Sequence, residues 1–205
     1  MYVGDVWLNG KKIGSNEYGY LGGEYDLTEH LDWGGRNVVA IRADNTLHSR
    51  WYTGGGLYRK VQLVVKEPVS IARHGVFVST PEIAGRQASV KVQVELDNLS
   101  GENRQVTVAV RLLSPAGKPV AKGNADMQLK GICATSTIML NVSEPQLWST
   151  ETPDLYTAEV TVKHAGNVLD RISERFGIRI IEWKPEQGML LLSLIHISEP
   201  TRQCI

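Results

Sequence analysis

The chain has 205 residues, carries 22 Lys+Arg against 22 Asp+Glu, and so has a formal net charge of zero. Balanced charge leaves no basic stripe to neutralise nucleic-acid phosphates or an anionic bilayer, so nucleic acid and membrane are excluded as expected partners. With 42% hydrophobic and 21% charged residues the composition is that of soluble globular domains, and the length suits one or two of them.

The first segment, Met1 to Val6, has no basic stretch followed by an apolar run, and no stretch reaches the ~18 apolar residues of a membrane span. From Asp5 to Lys66 short β-prone runs alternate with glycine-rich turns. Val6-Trp7-Leu8 meets Asn9-Gly10, and Lys11-Lys12-Ile13-Gly14 resumes the run. Asn-Gly favours the φ > 0 that both central residues of a type I′ turn require, which predicts a hairpin. Asn37–Ala43 is a β-branched run opened by Gly34-Gly35, and Lys60–Val65 is expected as a closing strand. Asp44 and Asn45, between these runs, read first as turn residues.

Glu67-Pro68 marks a boundary, since proline donates no ladder bond and holds the preceding residue extended. Beyond it the alternation is clean: Val90, Val92, Val94 and Leu96 share one face, and Val106, Val108, Val110 and Leu112 another. Period two predicts half-buried strands. Ser114–Gly117 makes a turn, and Thr137–Val142, Leu155–Lys163 and Val168–Arg175 continue the pattern. About seven strands in roughly 110 residues describe an immunoglobulin-like sandwich. Two cysteines, Cys133 and Cys204, lie outside any metal-binding spacing, so no metal, disulfide framework or cofactor is expected.

Three stretches carry a family resemblance. Asp5–Gly14, with Gly19-Tyr20 and Tyr25–Thr28, resembles the V-W-x-N-G-x-x-x-G … G-Y … D-[IL]-T run of the sugar-binding jelly roll in family 2 glycoside hydrolases. Ser49–Val61 resembles the S-R-W-Y-x-G-x-G-[IL]-[YF]-R-x-V signature that ends that domain. Leu147–Tyr156 with Phe176–Arg179 and Glu182-Trp183 resembles the end of the family's immunoglobulin-like domain and the lead-in to its (β/α)₈ barrel. Gly22-Gly23 departs from the glycine and aromatic of the pattern, and Thr150 from its proline.

The resemblance implies an all-β chain: residues 1–67 as the C-terminal part of a jelly roll, 68–179 as the immunoglobulin-like sandwich, and 180–191 as a linker toward a catalytic barrel. The family's two catalytic glutamates lie on that barrel, so no catalytic residue is expected here. The chain reads as a non-catalytic part of a β-galactosidase-like enzyme, inactive alone. A carbohydrate and the barrel of the same polypeptide are its implied partners, and a homo-oligomeric bacterial parent, cytoplasmic or periplasmic, is compatible. β-Glucuronidase or β-mannosidase ancestry, or a free-standing carbohydrate-binding or adhesion module, are the alternatives.

In several members the loop before the arginine-aromatic-glycine signature offers an acidic side chain to the sugar. That position falls at Ser49 or Arg50, neither of them acidic. Arg50, as a hydrogen-bond donor, and Trp51, as an apolar face, are therefore the substrate-binding candidates, against the plainer reading of Trp51 and Tyr52 as a sandwich cap with Arg59 paired locally. Trp148 and Tyr156 read as core anchors rather than sugar platforms. The sequons Asn98-Leu99-Ser100 and Asn141-Val142-Ser143 are read as coincidental. Residues 192–205 resemble a translated sequencing adapter, and an artefactual, loosely packed tail is expected, with no partner strand for Leu194–Ile197.

Overall fold

The computed structural model describes residues 3–46, 55–186, 188–191 and 195–196. Contacts divide the chain into two units, Met1–Val64 and Val65–Ile205. Among the described residues all regular structure is strand, apart from one 3-10 turn at Thr28–His30.

In the first unit β1 (Val3–Leu8) and β2 (Lys11–Asn16) form the hairpin that Asn9-Gly10 predicts, with φ of 51° and 83° at the two turn residues. β3 (Val39–Asp44) pairs antiparallel with the other edge of β1, giving the order β2-β1-β3. Val6 and Leu8 alternate inward and are this unit's buried apolar side chains among the described residues. The expected strand at Lys60–Val65 is not formed: the segment is irregular, and Val61, Leu63, Val64 and Val65 are exposed. The β-branched composition is present, but among the described residues no neighbouring strand supplies the ladder bonds that would hold it.

The second unit contains β4 (Val69–Ala84), β5 (Gln87–Asn98), β6 (Arg104–Leu113), β7 (Pro119–Leu129), β8 (Cys133–Ser143), β9 (Tyr156–His164) and β10 (Asn167–Phe176). They build two antiparallel sheets, β4-β5-β8 and β10-β9-β6-β7, the immunoglobulin-like sandwich that the alternation predicts. Val90, Val92, Val94 and Leu96 of β5 meet Val106, Val108, Val110 and Leu112 of β6 in one core, each no more than 2% exposed. Burying each such side chain stabilises by about 1.5–3 kcal/mol.

The two open edges of the sandwich are closed differently. At one, β7 lies against β8 so closely that a Cβ on Gly123 would come within 2.8 Å of Leu140. At the other, the backbone N–H of Ile71 in β4 donates to the Asp170 side chain of β10, beside Lys66. β7 was not legible as a strand, because its inward residues are Ala121, Gly123, Ala125 and Met127 instead of a branched run.

Beyond the sandwich, β11 (Ile181–Lys184) and β12 (Gly188–Leu191) form a hairpin, and β13 (Ile195–His196) adds to β12. This corrects the expectation that Ile195-His196 lacks a partner: the preceding hairpin provides one. The rest of the tail, residues 192–194 and 197–205, lies outside the described residues.

Candidate functional site

The candidate loop leaves β3 at Asp44. The Asp44 carboxylate accepts bonds from Thr46 Oγ1 at 2.7 Å and Thr46 N at 2.9 Å, an Asx turn that redirects the chain. It also pairs with Arg42 at 3.2 Å. These bonds, the Thr46 hydroxyl first, hold the Asp44 carboxyl below the usual aspartate range. The turn reading of Asp44 therefore fits the geometry.

The loop closes near its start. A Cβ built on Gly55 would stand 3.5 Å from Asn45 Nδ2, so the two ends of the segment are in contact distance, and Gly56 continues at φ 99°, open to glycine with little strain. Arg59 stacks its guanidinium over the Tyr58 ring at 5.5 Å, the local pairing that its sequence context suggests. Arg50 and Trp51, with Ser49 and Tyr52, lie outside the described residues. The structure thus describes the two flanks of this segment, at Asp44–Thr46 and Gly55–Arg59.

The other motif residues of this unit are structural. Asn9 donates to Asn37 Oδ1 at 2.8 Å and to His30 O at 3.2 Å, and accepts from Val38 N at 2.9 Å. Asn37 in turn brackets Asp32, accepting from its N–H at 2.8 Å and donating to its carbonyl at 2.9 Å. The ring edge of Tyr25 lies against Gly14, where a Cβ would overlap Cε1 and Cδ1, and its hydroxyl approaches Gly23. Asp26 accepts from Thr28 Oγ1 at 2.6 Å and Thr28 N at 2.9 Å, which opens the 3-10 turn and lowers its pKa. Sequence reasoning quoted these residues for their pattern and missed that Asn37 completes it.

In the second unit Tyr156 is buried, packs against Phe176 at 5.8 Å between ring centroids, and accepts from Gln146 N at 2.9 Å. Trp148 is partly covered: its backbone N–H donates to Ile178 O at 3.0 Å, Arg179 sits 4.4 Å above its ring, and a Cβ on Gly177 would be 2.7 Å from its side chain. Both make packing contacts, and one face of the Trp148 ring carries Arg179. Asn98 is buried, its amide donating at 2.9 Å to both Glu102 O and Gly131 O. Its sequon is thereby used inside the fold, whereas Asn141 is exposed.

Among the described residues the clearly shifted carboxyls are Asp5, Asp26, Asp44 and Glu151, and all shift downward. Asp5 is lowered by Lys12 and then Ser15, and Glu151 first by Thr150. A general acid needs the opposite shift. Among the described residues no group of three or more His, Cys, Asp or Glu side chains is placed to hold a metal ion.

Known proteins resemble this chain across both units. The profile of Glycosyl hydrolases family 2 matches residues 71–179. The beta-galactosidase BoGH2A of Bacteroides ovatus is 35% identical over 190 residues, which takes in 91% of this chain and 22% of that protein. A beta-glucuronidase of Formosa agariphila is 28% identical over 209 residues, covering 91% of this chain and 21% of its own length. The crystal structure of a glycosyl hydrolase family 2 member from Bacteroides cellulosilyticus matches with a TM-score of 0.85 at 30% identity, over 92% of this chain and 26% of that one. The chain spans about a fifth of the length of the two curated relatives.

Proposed function

Because this chain belongs to glycosyl hydrolases family 2, we propose that it supplies the accessory β-sandwich region of a glycosidase that hydrolyses terminal β-linked sugars, β-galactosides first among them. The observation that carries this is the 35% identity to the Bacteroides ovatus beta-galactosidase, sustained over 91% of the chain. Retaining hydrolysis needs a carboxylic acid of raised pKa and a second carboxylate about 5–5.5 Å away. The shifted carboxyls described here move the other way. On this reading the reaction is carried by a catalytic barrel of the same polypeptide, and this region buttresses the barrel and shapes the sugar pocket.

Within that pocket Arg50 donates hydrogen bonds to a sugar hydroxyl or pairs with a barrel acid, and Trp51 offers an apolar face. The Asx turn at Asp44 and the close approach of Asn45 and Gly55 define the two flanks of residues 47–54. A second reading, β-glucuronide substrates, is favoured by the 28% identity to the Formosa agariphila enzyme. A free-standing sugar-binding module is not favoured, since both of these relatives are enzymes of which this chain spans only about a fifth.

The test is a chimera in which residues 3–191 replace the matching region of the Bacteroides ovatus enzyme, assayed with nitrophenyl β-galactoside, β-glucuronide and β-mannoside beside the chain alone. The chain alone should turn over none of them, and the chimera should prefer the galactoside. Arg50→Ala and Trp51→Ala should each raise KM several-fold at unchanged melting temperature, the signature of lost substrate binding. Turnover by the isolated chain, or an unchanged KM in both variants, would remove this reading.

A further inference from the structure

β4 pairs with β5 along one edge and, among the described residues, has no strand partner on its other edge. Unpaired edge groups must find another partner or face water. At Ile71 both are taken up by side chains: its N–H donates to Asp170 Oδ2 at 2.9 Å, and its carbonyl accepts from Lys66 Nζ. Lys66 Nζ also stands 3.6 Å from the same Asp170 oxygen, which closes a ring of three polar contacts around the backbone of one residue. Asp170 is held in turn by Arg171 N at 2.7 Å, at the irregularity where β10 slips against β9. The side chains of Lys66 and Asp170 are 35% and 20% exposed, so the pair is partly withdrawn from water.

Lys66 belongs to the segment that follows the division between the units at Val64. Two residues on, Pro68 O accepts from Leu99 N at 2.8 Å, the first backbone bond tying this segment to the sandwich. We propose that Asp170 is a positioning residue that latches the inter-unit segment, through Lys66, to the edge of the sandwich, so that the tether to the first unit begins before Lys66 and not after Pro68. The proposal stands independently of which glycoside the enzyme cleaves.

Native-state trypsin digestion of the full chain, followed by mass spectrometry, tests it, because the protease must draw the Lys66 ammonium into its own acidic pocket. Cleavage after Lys60, in the exposed run upstream, is the internal reference. Asp170→Ala should speed cleavage after Lys66 by about tenfold, the loss of charge-assisted bonds, with cleavage after Lys60 unchanged. Asp170→Asn should fall between, since an amide still accepts from Ile71 N but carries no charge for Lys66. Raising salt to ~0.5 M should speed the Lys66 cut in the wild type and leave it unaltered in Asp170→Ala, as screening predicts for an ion pair. Should Asp170→Ala fail to fold, Asp170→Asn and the wild-type salt series decide. A Lys66 cleavage rate indifferent to Asp170→Asn and to salt would overturn the proposal.

Discussion

The Tyr156 hydroxyl accepts the backbone N–H of Gln146 at 2.9 Å from inside the sandwich, where Tyr156 is 2% exposed. Tyr156→Phe keeps the ring against Phe176 and removes the acceptor of that N–H. The expected loss is about 0.5–1.5 kcal/mol, the net worth of one hydrogen bond whose donor, on exposed Gln146, can turn to water. Urea unfolding of the second unit checks it, with an unchanged m-value.

Asn98 satisfies two carbonyls, Glu102 O and Gly131 O. Asn98→Ala removes both donors and should destabilise by about 2 kcal/mol or more. Thermal melting of the variant is the measurement. Asn141→Ala, at an exposed position, should stay within about 0.5 kcal/mol of wild type.

Gly177 lies under Trp148, with Cβ space of only 2.7 Å. Gly177→Ala must therefore displace the indole and with it the Arg179 stack at 4.4 Å. An overpacking cost of about 1–3 kcal/mol is expected, whereas Arg179→Ala should cost less, about 0.5–1 kcal/mol for a half-exposed cation–π contact. Melting curves of the two variants rank them.

Asp44 should titrate below the ordinary aspartate value, because the Thr46 hydroxyl and N–H favour its charged form. Thr46→Val removes the hydroxyl and should move that pKa upward, as read by carboxyl NMR. A folded pKa below the unfolded one means that the stabilisation is complete above about pH 4 and fades as pH falls through the folded value. The stability difference between wild type and Thr46→Val should accordingly vanish in acid and be full at neutral pH.

The sandwich was legible because β5, β6, β8 and β9 alternate valine, leucine and isoleucine with polar residues, and one buried face imposes one register. β7 escaped because alanine, glycine and methionine suffice where β8 presses close. Lys60–Val65 misled for the opposite reason: composition records a preference for extension, and only a neighbour turns it into a ladder. The roles of Asn37 and Asp170 depend on partners 28 and 99 positions away, which no local pattern announces. Of the candidate site, the Asp44 turn was readable from residue type, while Arg50 and Trp51 rest on the family signature.

The bond between Ile71 and Asp170 also has a consequence for synthesis. Its partners are 99 positions apart, and a ribosome adding 5–20 residues per second needs roughly 5–20 s to pass from one to the other. Through that interval the first strand of the sandwich waits with its outer edge bare, since contacts of such separation must overcome loop-closure entropy and await the last strand. A chain released after His164 should be cut by protease throughout residues 69–164, and a chain extended to Leu191, which includes β10, should resist over the same stretch.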